Sequence, residues 1–346
     1  MKRLPLVVMT VAVVIVVTAI AVALVDTRSD SGGLTGSLVY ADQTSTSSSI
    51  WRANPDGTHP VRLTNGSNPT ISPNGRFVAF VRVTCMPMAP SGETCSDPKL
   101  FVMTTSDGKV ERIKGVPSAD DLAWAPDSER LAVTGAHRID VFDLVNGAET
   151  LIAKGRFVSS PSFSPDGRSV VYERDRYSST LHSGSNLASD LYVSNLESGR
   201  SQRITRLGDA RGPAWGPSEI AFGHNREIWL INSSGSRMRR LASKQNTAHF
   251  WPSVWSADGK RLLLSIAPFH GRWKFRAIDV LSKRVSFVGS GNPLGLSRDG
   301  KTVLVNNCAY FPVGRTLGRV ETVPLRGGRA RAVVPRDGIC QASWNA

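Results

Sequence analysis

The sequence predicts an all-β fold, a β-propeller of four-stranded blades, and three observations carry that expectation. A short motif recurs: Pro161-Ser-Phe-Ser-Pro-Asp-Gly167 has counterparts in Pro69-Thr-Ile-Ser-Pro-Asn-Gly75, Leu122-Ala-Trp-Ala-Pro-Asp127, Pro213-Ala-Trp-Gly-Pro217, Pro252-Ser-Val-Trp-Ser-Ala-Asp-Gly259 and Pro293-Leu-Gly-Leu-Ser-Arg-Asp-Gly300, with a truncated copy in Ala342-Ser-Trp-Asn345. Its apolar residue, two before the turn, falls at Ile71, Trp124, Phe163, Trp215, Trp255, Leu296 and Trp344, a mean spacing of about 45 residues. Each interval also holds two more β-type segments joined by turns such as Asp107-Gly108, Asn146-Gly147 and Ser234-Gly235. Four-stranded units at this period are propeller blades rather than layers of a sandwich or coils of a solenoid.

The motif itself is strand, turn, strand. Pro165 presets φ at the first central turn position, Asp166 can bond back to the backbone, and Gly167 can take the left-handed conformation that closes a hairpin. The Val/Tyr-rich run that follows supplies the second strand.

In chain order, Lys2 and Arg3 precede an uncharged run of 22 residues, Leu4 to Val25, which Asp26 ends. As a helix it would span a bilayer core of roughly 30 Å. Positive charge before it predicts a cytoplasmic N-terminus, with everything after it outside. Residues 1–25 are therefore expected to be a transmembrane anchor, or a signal segment if cleavage follows Ala23. The run is longer than a usual signal-peptide h-region, which favours the anchor. Residues 26–36 form a Ser/Gly/Asp linker, and 37–346 the propeller.

Three strands, Ser37–Ala41, Ile50–Asn54 and Val61–Thr64, come first and lack an opening strand, which residues 342–345 can supply. Six complete groups follow, with inner strands predicted at 69–72, 122–125, 161–164, 213–216, 252–256 and 294–297. Seven blades are expected, six being the alternative count, with the ring closed by pairing the C-terminal strand with the N-terminal three.

The Ser-Pro-Asp-Gly core, with an apolar residue or Trp two before the Ser and Val/Ile-rich strands after it, resembles the TolB-type, WD-like β-propeller repeat. Ile50-Trp-Arg-Ala-Asn-Pro-Asp-Gly57 and Val61-Arg-Leu-Thr64 match that family's third- and fourth-strand pattern. The resemblance covers roughly residues 37 to 345 and implies a propeller, while its motif residues are structural. TolB itself has six blades preceded by another domain; this sequence shows about seven, preceded by the apolar run.

Function must be sought between the copies. The wider spacings come from connections between second and third strands at Val83–Lys99, Asp175–Asp190 and Asn307–Gly318, which share one face with the connections between blades. Insertions gathered on one face mark a binding side. Five of the six histidines fall there: His137, His182, His224, His249 and His270. His224, His249 and His270 should be neighbours, with Phe250, Trp251, Phe269 and Trp273 beside them; His182 and Tyr310 lie in the other long connections. Imidazole and aromatic planes suit a sugar, a peptide anchor or a metal. No Cys-x-x-Cys, His-Glu-x-x-His, dense Asp-x-Asp-x-Asp or Gly-x-Ser-x-Gly pattern occurs, so neither a metal, a cofactor nor a catalytic residue is assigned.

Cys85 and Cys95 bracket a Pro/Gly-rich loop, and Cys308 and Cys340 are far apart; Cys85–Cys95 with Cys308–Cys340 is the favoured of three connectivities in an oxidising compartment. With 42 basic and 28 acidic residues the net charge is +14, which suits anionic partners. Compartment and the lack of a module motif argue against nucleic acid. The expectation is thus a monomeric, membrane-tethered extracytoplasmic scaffold for an envelope protein or anionic envelope polymer. The alternative is a propeller lyase or hydrolase acting on a polysaccharide, lactone or peptide at a His-lined site on the same face.

Overall fold

The computed structural model describes residues 35–43, 48–88, 92–95, 98–116, 118–155, 157–177, 187–243, 249–267, 273–307, 309–310, 316–326, 328–334, 339 and 341–345. The apolar run 1–25 lies outside them; none of the described residues is in an α-helix. What they form is seven four-stranded antiparallel sheets, the blades of a propeller.

Blade 1 is Ser67–Ile71, Phe77–Arg82, Lys99–Thr104 and Val110–Arg112. Blade 2 is Asp121–Trp124, Arg130–Gly135, Arg138–Asp143 and Glu149–Lys154. Blade 3 is Val158–Phe163, Ser169–Tyr177, Leu187–Asn195 and Ser201–Arg203. Blade 4 is Arg211–Trp215, Ile220–His224, Glu227–Ile231 and Arg239–Ala242. Blade 5 is His249–Trp255, Arg261–Ala267, Lys274–Asp279 and Val285–Ser290. Blade 6 is Asn292–Leu296, Thr302–Asn306, Val320–Pro324 and Arg331–Ala332. Blade 7 takes its inner strand, Gln341–Asn345, from the far end of the chain and pairs it with Ser37–Gln43, followed by Ser48–Ala53 and Val61–Asn65. Seven blades and this mode of closure are what the repeat spacing predicts.

The long connections differ from the expected loops. In blade 3 the second and third strands stay paired from Ser169↔Asn195 out to Tyr177↔Leu187, so both ends of the 175–190 connection extend the hairpin. Its charged residues hid the strand from an argument built on apolar alternation. The other two connections carry two-stranded hairpins of their own, Cys85–Met88 with Gly92–Cys95 and Ala309–Tyr310 with Thr316–Leu317. Cys85 and Cys95 are register partners; Cys308 and Cys340 lie outside the described residues.

The core sits between blades. Val78 and Phe80 pack with Val39 and Ile50 of blade 7, whereas their neighbours Ala79 and Val81 pack with Leu131 and Val133 of blade 2. Residues of both parities are buried, which is why second strands read as unbroken apolar runs rather than alternating ones.

The repeated serine explains itself at the turn between first and second strands. Ser164 is buried; its Oγ donates to Asp166 Oδ1 at 2.6 Å and accepts the Ser169 N–H at 2.9 Å, while Asp166 Oδ1 accepts the Arg168 N–H at 3.0 Å. The same clamp recurs at Ser72 with Asn74, Ser256 with Asp258 and Ser297 with Asp299. Blade 4 has glycine at this position, and the reason is steric: a Cβ on Gly216 would lie 2.5 Å from the Trp255 ring. That indole reaches back across the interface to donate to the Ala214 carbonyl at 3.0 Å, as Trp124 does to Thr70 at 3.3 Å.

The repeated proline marks a bulge. Register shifts fall at or beside Pro69, Pro161, Pro213, Pro252 and Pro293, whereas blade 2, with Leu122 at that position, pairs without a shift. Proline has no N–H for the ladder and is accommodated where pairing slips. Before three of these prolines stands a residue with positive φ, Asn68, Ser160 or Gly212, and its freed N–H is accepted by the preceding blade: Gln341 Oε1 at 2.7 Å, Asp121 Oδ2 at 3.1 Å and Glu173 Oε2 at 3.0 Å, respectively.

Ser164→Ala should lower unfolding stability by about 1–3 kcal/mol, because the Ser169 N–H loses a buried acceptor; denaturant titration measures it. The Ser164 and Ser256 hydroxyls, with backbone N–H groups, hold the Asp166 and Asp258 carboxyls below their ordinary range. The folded pKa then lies under the unfolded one, so this stabilisation is complete above about pH 4 and is lost as pH falls through the lowered values. Acid titration of the Asp166→Asn/Asp258→Asn variant should show a shallower loss of stability below pH 4 than the wild type.

Candidate functional site

In antiparallel blades the connections from second to third strand and from one blade to the next leave from the same ends of the strands. All three inserted or extended hairpins, in blades 1, 3 and 6, belong to the first kind. The clamp turns occupy the opposite face. The loop-rich face is therefore where the candidate residues are to be placed.

His224 ends the second strand of blade 4, ahead of a two-residue turn in which Asn225 and Arg226 both have positive φ. That left-handed pair matches the twist of the flanking strands. Asp209, on the connection entering blade 4, fixes the corner: it bonds His224 Nδ1 and accepts the Asn225 N–H at 2.8 Å. The imidazole also lies edge-on to Trp229, with ring centroids 6.1 Å apart. A cavity of about 380 Å³ opens here, lined by Asp209, Arg211, His224, Arg226, Phe250 and Trp251 among others. It can orient a polar ligand through the His–Asp pair and two guanidinium groups. The described residues lining it include no Ser, Cys, Thr or Tyr to act as a nucleophile.

The structure brings together His224, Phe250 and Trp251 from the predicted set. Phe250 is 4% exposed and packs with Leu230, Leu262 and Leu264, so it belongs mainly to the core. Trp251 packs against Trp273, centroids 5.6 Å apart. The backbone of His249 opens the inner strand of blade 5 opposite Ala267. His182 and His270, and the side chains of His249 and Tyr310, lie outside the description. No group of three or more His, Cys, Asp or Glu among the described residues could hold a metal ion.

A second cavity, about 550 Å³, lies on the same face at the ends of blades 2, 3 and 4. Of the sequence candidates only His137 reaches it; the chemistry comes from Asp120, Asp121, Glu173, Asp175 and Arg211. Glu173 is buried, and burial pushes its carboxyl above the ordinary range, against the pull of the Gly212 N–H, the Ser189 hydroxyl at 2.8 Å and Arg211. The spacing of Glu173 and Asp175, two apart on one strand, was the available signal, since residues at i and i+2 share a face.

No protein-family model matches the chain. Two curated relatives match parts of it. The Tol-Pal system protein TolB of Nitrosospira multiformis is 35% identical over 79 residues, 23% of this chain and 16% of that protein. A protein TolB homolog of Chlorobium chlorochromatii is 29% identical over 144 residues, 39% and 30% of the two chains. The chain thus spans less than a third of the length of these relatives. Among solved structures, TolB from Acinetobacter baumannii is similar with a TM-score of 0.53 at 17% identity, covering 89% of this chain and 82% of the other. An oligogalacturonate lyase in complex with manganese gives 0.58 at 13% identity, covering 87% and 86%. The tricorn protease gives 0.61 at 13% identity, covering 89% of this chain and 36% of the other. The structural likenesses are of fold; the sequence likeness agrees with a TolB-type propeller repeat.

Behind this face Asp190, fully buried, ties down the connection from blade 3 to blade 4. It pairs with Arg203 at 2.7 Å and Arg176 at 3.3 Å and accepts the Thr205 hydroxyl at 3.0 Å and the Leu207 N–H at 2.8 Å. Asp190→Ala should cost about 3 kcal/mol by stranding Arg203 and a buried loop end, whereas Arg176→Ala, at the exposed end of the network, should cost less than about 1 kcal/mol. Chemical denaturation of the two variants gives the comparison.

Proposed function

We propose that this protein is a non-catalytic, membrane-tethered scaffold that binds an envelope protein outside the cytoplasm through the loop-rich face of its propeller. The observation that carries this reading is the one-sidedness of the connections: three long hairpins on one face, short clamp turns on the other. A surface elaborated on one side of a rigid frame is what a binding module needs. The sequence likeness to a protein named for the Tol-Pal system supports an envelope role. Tethering is supported by Leu4–Val25 behind Lys2 and Arg3. The register pairing of Cys85 with Cys95 supports a disulfide that would brace the blade 1 hairpin. A lyase or hydrolase reading would draw on the His224–Asp209 pair, but this pair already has a local task in holding the Asn225 turn.

Cross-linking of the full chain in native membranes should capture a defined partner. Replacing residues 178–186 with Asn-Gly, which suits a two-residue hairpin turn, should lose that partner while leaving the melting temperature unchanged. Capture of the same set by the trimmed chain would overturn the reading.

A further inference from the structure

The net charge is not spread evenly over the chain. Residues 1–210 hold 21 basic and 21 acidic side chains, whereas residues 211–346 hold 21 and 7, so the whole excess of +14 lies in blades 4 to 6 and the strand that closes the ring. Turns after first strands and after third strands share the clamp-turn face. There, blades 1 to 3 carry four basic and five acidic residues, and blades 5 and 6 carry seven and two. Those two acids, Asp258 and Asp299, are bound within their own clamps, with Lys260 and Lys301 beside them. Lys283, Arg284, Arg298, Arg326 and Arg329 are exposed and have no ion-pair partner among the described residues. The turn at 280–284 departs from its counterparts. In blades 1, 2 and 3 the fourth residue of this turn is Gly108, Gly147 or Gly199, each with positive φ, and blade 5 has Lys283 there at a φ of 59°. The left-handed region costs any residue with a Cβ some stability, so the turn itself has no use for a lysine. Leu281, two residues earlier, is 92% exposed, and Val285, just after the turn, is 47% exposed. Apolar side chains set among unpaired cations mark a contact surface rather than a solvated one.

The N-terminal chain joins the propeller on this same face. Ser37 opens its strand opposite Asn345, where the inner strand of blade 7 ends. The Ser37 N–H donates to Asn345 Oδ1 at 2.6 Å, the Trp344 indole donates to the Thr35 carbonyl at 2.8 Å, and the Asn345 amide donates at 3.4 Å to the Pro73 carbonyl in the clamp turn of blade 1. Residues 26–36, fully extended, reach about 40 Å at most.

We propose that the clamp-turn face of blades 5 and 6 lies on the anionic lipid headgroups of the membrane, with Leu281 entering the headgroup layer and the cations around it meeting lipid phosphates. A tether that joins at blade 7, beside blade 6, brings this basic sector to the bilayer and leaves the loop-rich face free for its partner. Each Lys or Arg near an anionic surface adds about fivefold to the partitioning, and several act together here. A soluble polyanion would satisfy the cations but would offer nothing to Leu281. The charge and the exposed leucine stand by themselves; the short reach of the tether rests on the membrane-anchored reading above.

The full chain is reconstituted in vesicles of phosphatidylcholine, alone or with about 30% phosphatidylglycerol, and its lysines are acylated with a membrane-impermeant reagent and read by mass spectrometry. In the anionic vesicles Lys283 and Lys301 should react at least about fivefold more slowly than in the neutral ones, and the difference should vanish at high salt. Lys274, exposed at the loop-rich end of blade 5, should react equally in both. Lys283→Gly/Arg284→Gln removes the left-handed lysine and should melt no lower than the wild type. In the anionic vesicles it should return Lys301 toward its neutral-vesicle rate, and Leu281→Ser should do so in part. Equal rates for Lys283 in the two vesicles, equal protection of Lys274, or protection of Lys283 by dextran sulfate but not by anionic vesicles would each overturn the lipid-facing surface. Alkaline carbonate extraction separates this surface from the tether. A chain that carbonate releases, but whose Lys283 was protected, keeps the surface and loses the anchor; a chain that carbonate retains, with Lys283 unprotected, keeps the anchor and loses the surface.

Discussion

No blade in this protein has a core of its own. Each interface between consecutive blades holds its own apolar cluster, such as Leu263, Phe275 and Ala277 of blade 5 against Val303, Val305 and Val323 of blade 6, and the interface of blades 2 and 3 holds two. Blade 7 meets both neighbours, through Leu38 on one side and Val39 on the other. A sheet buried on both faces must find two partners, and closing a ring is the arrangement that leaves no end unpaired. The closing strand Gln341–Asn345 completes the ring: its residues are half-buried, and Ala342 and Trp344 pack against the cluster between blades 6 and 7.

From that requirement follows the polar architecture. Proline at the head of an inner strand loosens the ladder, and the N–H released beside it would be stranded at an interface unless the neighbour provided an acceptor. Gln341, Asp121 and Glu173 do so. Two of these acceptors are carboxylates at the loop-rich ends of the blades, so the device that satisfies the backbone also brings negative charge to that face. The acidic cavity at the ends of blades 2, 3 and 4 is thus lined in part by acceptors the backbone requires.

The fold was legible because its signals repeat. Ser, Pro, Asp and Gly at fixed offsets announce one turn each, and their spacing announces the blade. The truncated copy at 342–345 even showed where the ring closes. Legibility failed where strands carry charge instead of apolar alternation, as at Arg174–Tyr177, and where a site is assembled from residues far apart in sequence. His224 was visible as a rare residue beside aromatics, but its partner Asp209 lies 15 residues away on another connection. Asp190 looked like any strand-edge acid; only the placement of Arg176, Arg203 and Thr205 around it reveals a buried hub.

The inner position of blade 7 has a consequence for synthesis. Ser37–Gln43 is made early but has no inner neighbour until Gln341–Asn345 arrives, some three hundred residues later. Throughout that interval the first strands present an open edge and an uncovered apolar face, the features that invite strand addition from other chains. The closing strand therefore works as a proofreader of completeness: a chain interrupted anywhere before it, however many blades it contains, retains an exposed edge by which an incomplete product can be told from a finished one.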